Sequence, residues 1–251
     1  MNKKAKEAII AVIVILVITT AVLSLYNCEK QRGGRELAKR ISALSSRGGN
    51  VPETIEGLRE AITLYEDQIE RHVRDAAQTG VYWKILAIRF ADRGMHRNAL
   101  EAIERAIQYN PDDPTLFFLA GEYASVVAAS TLDFNPAAAA EREQLINLAQ
   151  SAYLRSIQLD PVYARPRLGI GILYTFDLDL PEEAITHLER YMQLTSNNID
   201  GMFVLARANF MIENFYAAIE LYERIIARTK DATARTEAQN NINLIRSFLD
   251  G

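Results

Sequence analysis

The sequence predicts an all-α fold on three observations. Large apolar residues recur at three- and four-residue steps, as in Leu37, Ile41 and Leu44, or in Ile55, Leu58, Ile62, Tyr65 and Ile69. That spacing gathers them on one face of a helix. Asp113-Pro114 and Asn135-Pro136 read as helix starts, because Asp and Asn cap free backbone N–H groups and Pro suits a first turn. A 34-residue phrase is also written almost twice. Trp83, Leu86, Ala87, Phe90, Gly94, Ala99, Ile103, Ala106 and Pro111 fall in the window 80–113; Met202, Leu205, Ala206, Asn209, Ala218, Tyr222 and Ile225 repeat the spacing in 199–232.

Self-similarity at this period resembles the tetratricopeptide repeat, whose pattern runs W-x2-L-G-x2-Y, then A-x3-F, then P. The resemblance implies a superhelical solenoid of antiparallel helix pairs, stable only because neighbouring units stack. It also implies that first helices line a concave face that receives an extended or helical peptide, and that the protein binds and does no chemistry.

The units follow in order. Residues 29–35 are charged and contain Gly, which reads as a linker. Residues 36–78 form a degenerate helix pair, broken at Ser45 to Asn50, with a long helix after Pro52 in which Ala61 and Tyr65 echo A-x3-F. Residues 80–113 are the best repeat. In 114–163, Phe117, Ala120 and Gly121 start a unit that Ala149, Tyr153, Ser156 and Asp160-Pro161 finish; its 50 residues exceed the period by 16. The excess falls around Ala128 to Arg142, expected as a loop of about eight residues and two extra turns of helix, either a binding element or surface decoration. Residues 164–198 carry Ile170, Gly171, Tyr174, Ala184, Leu188 and Tyr191. Residues 199–232 form the last repeat. Residues 233–251 read as a capping helix, apolar at Ala238, Ile242, Ile245 and Leu249 and polar at Asn240, Asn241, Asn243 and Arg246.

Ahead of all this lies Ala8–Tyr26, which has no charge in 19 positions. As helix it measures roughly 28 Å, close to a bilayer's hydrocarbon thickness. It is longer than a signal-peptide core and lacks a small-residue cleavage site. We read residues 1–28 as a basic segment and a single transmembrane anchor. Lys3, Lys4 and Lys6 precede the span and Lys30, Arg32, Arg35, Lys39 and Arg40 follow it, so charge bias does not choose an orientation. A short basic N-terminus favours a cytoplasmic start, which places the repeats in the periplasm, anchored in a bacterial inner membrane; a cytoplasmic-facing chain is the alternative. Leu25-Tyr26-Asn27-Cys28 resembles a bacterial lipoprotein signal, although that family prefers small residues where Tyr26 and Asn27 stand. Cys28 is therefore either a lipidation site or an unmodified thiol. No cysteine follows it, so neither a disulfide nor a thiolate metal site is available beyond residue 28.

Helix geometry and the family pattern together leave Lys84, Ile88, Phe118, Glu122, Arg165, Leu168, Ile172, Phe203, Arg207 and Phe210 as candidate groove residues. One subclass of the family grips C-terminal carboxylates through Lys, Asn and Arg. Ile88, Phe118 and Glu122 stand where such residues are expected, so a protein partner with apolar anchors fits better. Self-association is the alternative, with Leu132 and Phe134 of the insertion reaching into a second copy. No catalytic motif, cofactor site or metal site emerges. His72, His96 and His187 lack helical-spaced metal partners and read as surface or turn residues. Carboxylate pairs such as Asp112/Asp113 and Glu182/Glu183 sit at helix starts, where the dipole favours them. From residue 29 onward Lys+Arg number 25 against 31 Asp+Glu, once Lys3, Lys4, Lys6 and Glu7 are set aside, which disfavours nucleic acid. The sequence thus reads as a membrane-anchored scaffold or adaptor for an envelope assembly, a flagellar one being a natural setting.

Overall fold

A computed structural model of the chain describes residues 54–131, 134–196 and 198–249. The anchor Ala8–Tyr26, Cys28, the linker 29–35, the helix expected from residue 36 and Leu132 lie outside the described residues. The chain divides into two compact units, residues 1–73 and 74–251. Among the described residues every regular element is helical.

In the first unit the described residues belong to α1, Ile55–Ala91, a helix of 37 residues. The expected stripe is there and faces solvent: Ile55, Leu58, Ile62, Tyr65 and Ile69 are all exposed. The break expected between residues 78 and 80 is absent, because α1 runs straight through it. Ala76 to Thr79 supply neither Pro nor a stop, and the lone Gly80 costs a helix only about 1 kcal/mol.

The second unit contains the end of α1 and then α2 (His96–Tyr109), α3 (Pro114–Ser130), α4 (Pro136–Leu159), α5 (Arg165–Phe176), α6 (Pro181–Leu194), α7 (Ile199–Met211), α8 (Phe215–Arg228) and α9 (Ala232–Leu249). From α2 onward consecutive helices pack against one another, and first helices also touch, α3 with α5 and α5 with α7. Helix starts follow the expected chemistry. Asp113 accepts from Thr115 N–H at 2.8 Å ahead of Pro114, and Asn135 accepts from Ala137 and Ala138 N–H at 3.0 Å ahead of Pro136. The repeated alanines do the close packing: Ala87, Ala99, Ala149, Ala184 and Ala218 are fully buried.

The turns inside three pairs use one backbone device, a residue in the left-handed region. It is Gly94 at φ 72°, Asp179 at φ 52° and Glu213 at φ 60°. Only the first has the residue type that adopts this conformation without a Cβ penalty.

The insertion departs from expectation. Its extra residues lengthen helices on both sides: α3 has 17 residues, and α4 has 24 where α2, α6 and α8 have 14. The connection between them is only residues 131–135. An alanine run, Ala137 to Ala140, has the highest helix propensity available and extends α4 toward its N-terminus. The cap also differs in part. Ala238, Ile242 and Ile245 are buried, but Leu249 is exposed, as are Leu244 and Phe248.

Candidate functional site

A groove of about 350 Å³ opens between α3 and α5, with α4 and α6 beneath. Its floor is Tyr153 of α4, whose ring lies between two glycines on the first helices. A Cβ added at Gly121 would come within 2.7 Å of that ring, and one at Gly169 within 2.6 Å. The absence of side chains at both positions lets the tyrosine rise between α3 and α5. Burial pushes the Tyr153 phenol up to about 12, the Ser125 hydroxyl opposes this slightly, and the Glu122 charge adds to it.

Five of the ten expected groove residues meet here: Phe118, Glu122, Arg165, Leu168 and Ile172. Phe118 is nearly buried, with the Tyr163 ring edge-on at 5.6 Å and the Arg165 guanidinium 4.6 Å above its face. Glu122 is half-buried on the α3 wall, one turn from Phe118. Leu168 and Ile172 form the facing wall on α5, and Ile172 is 40% exposed. Asp177 closes the far end and is held by Arg142 at 2.7 Å.

The other five lie elsewhere. Lys84 pairs with Asp113 at 3.1 Å, tying α1 to the start of α3. Burial works against the Asp113 charge, yet the Thr115 N–H and Lys84 together lower its pKa. Ile88 is exposed on α1. Phe203 packs against Tyr222 at 5.9 Å, and Phe210 against Phe215 at 5.6 Å and Phe248 at 5.8 Å, with Arg207 over its ring. Phe203 and Phe210 are therefore partly packed against later helices and remain half-buried. Conversely Tyr153 and Tyr191, from second helices, line the groove without having been expected there. The paired glycines Gly121 and Gly169 were the signal for Tyr153, since only a side chain from below could fill the space they leave.

The remaining candidates are quickly placed. His72 is exposed. His187 corrects its surface reading: it is half-buried against the Tyr174 ring at 5.8 Å, with burial and then Arg167 lowering its pKa. Among the described residues no group of three His, Cys, Asp or Glu could hold a metal.

No family model matches the chain. A "TPR repeat-containing protein" of Borreliella burgdorferi is 21% identical over 210 residues, which cover 84% of this chain and 88% of that one. Among solved structures, a crystal structure of MamA aligns with a TM-score of 0.55 at 18% identity, covering 68% of this chain and 82% of that one. TTC0263, a thermophilic TPR protein of Thermus thermophilus, aligns at 0.54 and 18% identity, covering 74% and 96%. YrrB, described as a TPR protein with an unusual peptide-binding site, aligns at 0.53 and 16% identity, covering 79% and 88%. Helix pairs at the 34-residue period, together with these likenesses, give this chain the fold of a tetratricopeptide-repeat solenoid.

Proposed function

We propose that the chain is a tetratricopeptide-repeat adaptor that takes a peptide segment with apolar anchors into the groove between α3 and α5. The observation that carries this reading is a groove of about 350 Å³ between α3 and α5, walled by Glu122, Leu168 and Ile172 and open among the described residues. Grooves with a few placed polar groups on apolar walls are what peptide recognition uses. Replacing Ile172 by Arg puts a charge on one wall without touching the buried core. The variant should fold and lose its partner; retention of the partner by folded Ile172→Arg would remove the groove from consideration.

The tether belongs to the same proposal. Ala8–Tyr26 anchors the chain in a bacterial inner membrane, with the repeats in the periplasm at an envelope assembly, such as a flagellar one. Among the described residues no helix is long and apolar enough to cross a membrane, and Ala8–Tyr26 is not among them. Tethering raises effective concentration, so modest groove affinity suffices. An intact mass equal to the full chain supports an uncleaved anchor, whereas a chain beginning at acylated Cys28 would make it a lipoprotein. Protease added to spheroplasts should digest the repeats; protection until lysis would place them in the cytoplasm.

A second reading is self-association, which one observation favours. Phe134 in the insertion is 83% exposed, the most exposed large apolar side chain described. Sedimentation of the detergent-solubilised chain decides it: a monomer at high micromolar concentration eliminates this reading.

A further inference from the structure

The carboxylates on and near the groove are not all alike. Asp177 at its far end is paired with Arg142. Asp113, at the start of α3, is paired with Lys84. Glu122 has no ion pair and no hydrogen bond among the described residues, although it is half-buried on the wall. The cation that lines the groove, Arg165, stacks on the Phe118 ring and makes no ion pair with Glu122 among the described residues. Facing Glu122 across the gap are the apolar α5 side chains Leu168 and Ile172. A carboxylate beside low-dielectric walls interacts with an added cation more strongly than one in open water. It also rejects an added anion for the same reason.

Resting on the groove reading above, we propose that Glu122 makes the groove selective for peptides that carry Lys or Arg beside an apolar anchor. The anchor lies against Leu168 and Ile172, and the neighbouring cation hydrogen-bonds the Glu122 carboxylate. Buried apolar contact then supplies affinity, and the charge supplies discrimination.

The test is fluorescence anisotropy of the detergent-solubilised full chain with dye-labelled, acetylated nine-residue peptides. Each has a Gly/Ser background and a central Leu flanked by Lys, Met or Glu. Lys-flanked peptides should bind about tenfold or more tighter than Glu-flanked ones, the size expected of a charge-assisted hydrogen bond. Glu122→Gln should flatten that preference, and Glu122→Lys should invert it, with thermal melts matching the parent chain. Equal binding of Lys- and Glu-flanked peptides, or a preference that survives Glu122→Gln, overturns the selectivity. If Leu-centred peptides bind regardless of flanking charge and Ile172→Arg abolishes that binding, the groove stands and only the selectivity fails. If no peptide binds, the groove and the selectivity fall together.

Discussion

Arg142 on α4 donates to the Asp177 carboxylate at 2.7 Å, crossing from the second helix of one repeat to the turn of the next. Its neighbour Glu141 accepts from Arg97 of α2 at 2.7 Å, so adjacent positions of the insertion clip the unit before and the unit after. The added turns therefore brace the stack, and Asp177, held this way, forms one end of the groove.

The brace should be measurable. The Arg142 and Asp177 side chains are 31% and 26% exposed, so solvent screens the pair only in part. Removing either side chain should cost about 0.5–1.5 kcal/mol, between the values for surface and buried pairs. A double-mutant cycle by chemical denaturation should give a positive coupling, and a coupling of zero would make the contact incidental.

The left-handed turns give an opposite expectation. Asp179 and Glu213 hold positive φ without being glycine, where the equivalent turn uses Gly94. Glu213→Gly removes Cβ strain of about 1–2 kcal/mol and adds unfolded-state entropy of about 0.5–1 kcal/mol. A net gain of roughly 0.5–1 kcal/mol should raise the melting temperature; a lower one would show that the turn carries no strain.

Gly169 leads the other way. Alanine there gains about 1 kcal/mol of helix propensity, but its Cβ would meet the buried Tyr153 ring at 2.6 Å. Overpacking costs about 1–3 kcal/mol, so we expect a net loss of stability together with weaker peptide binding as the floor shifts. Unchanged binding by a folded Gly169→Ala variant would separate Tyr153 from the groove.

Tyr153 also sets an alkaline limit. Its folded pKa of about 12 stands above the usual 10 because burial disfavours the phenolate. The raised value means its contribution is whole below pH 10 and is lost as pH rises through 12. A shift of that size corresponds to about 2–3 kcal/mol. Tyr153→Phe should flatten the fall in stability over that window, and an unaltered profile would assign the alkaline transition to other groups.

Much of the helical order was legible because start signals are local. Asp113-Pro114 and Asn135-Pro136 need only their own backbone to act, and the 34-residue period exposes the pairs. The continuity of α1 through Gly80 was not legible, since one glycine weakens a helix without ending it. Five of the ten expected residues line the groove, and helix phase together with the family pattern named them. The ring contacts of Phe203 and Phe210 were not legible, because phase tells which way a side chain points and not what packs there; Tyr222, Phe215 and Phe248 come from later helices. Tyr153 was missed for the converse reason: it reaches the groove only through space cleared by Gly121 and Gly169 on two other helices.

The most direct measurement is site-specific photocrosslinking in the cells of origin. A photoreactive phenylalanine derivative placed at Ile172, on the groove wall, should yield a discrete adduct with a protein partner, and one at Asn240, on the exposed face of α9, should not. The Ile172 adduct should disappear when Leu168 is also replaced by Arg. Adducts of the same partner from Asn240 but not from Ile172 would contradict the groove as the binding site.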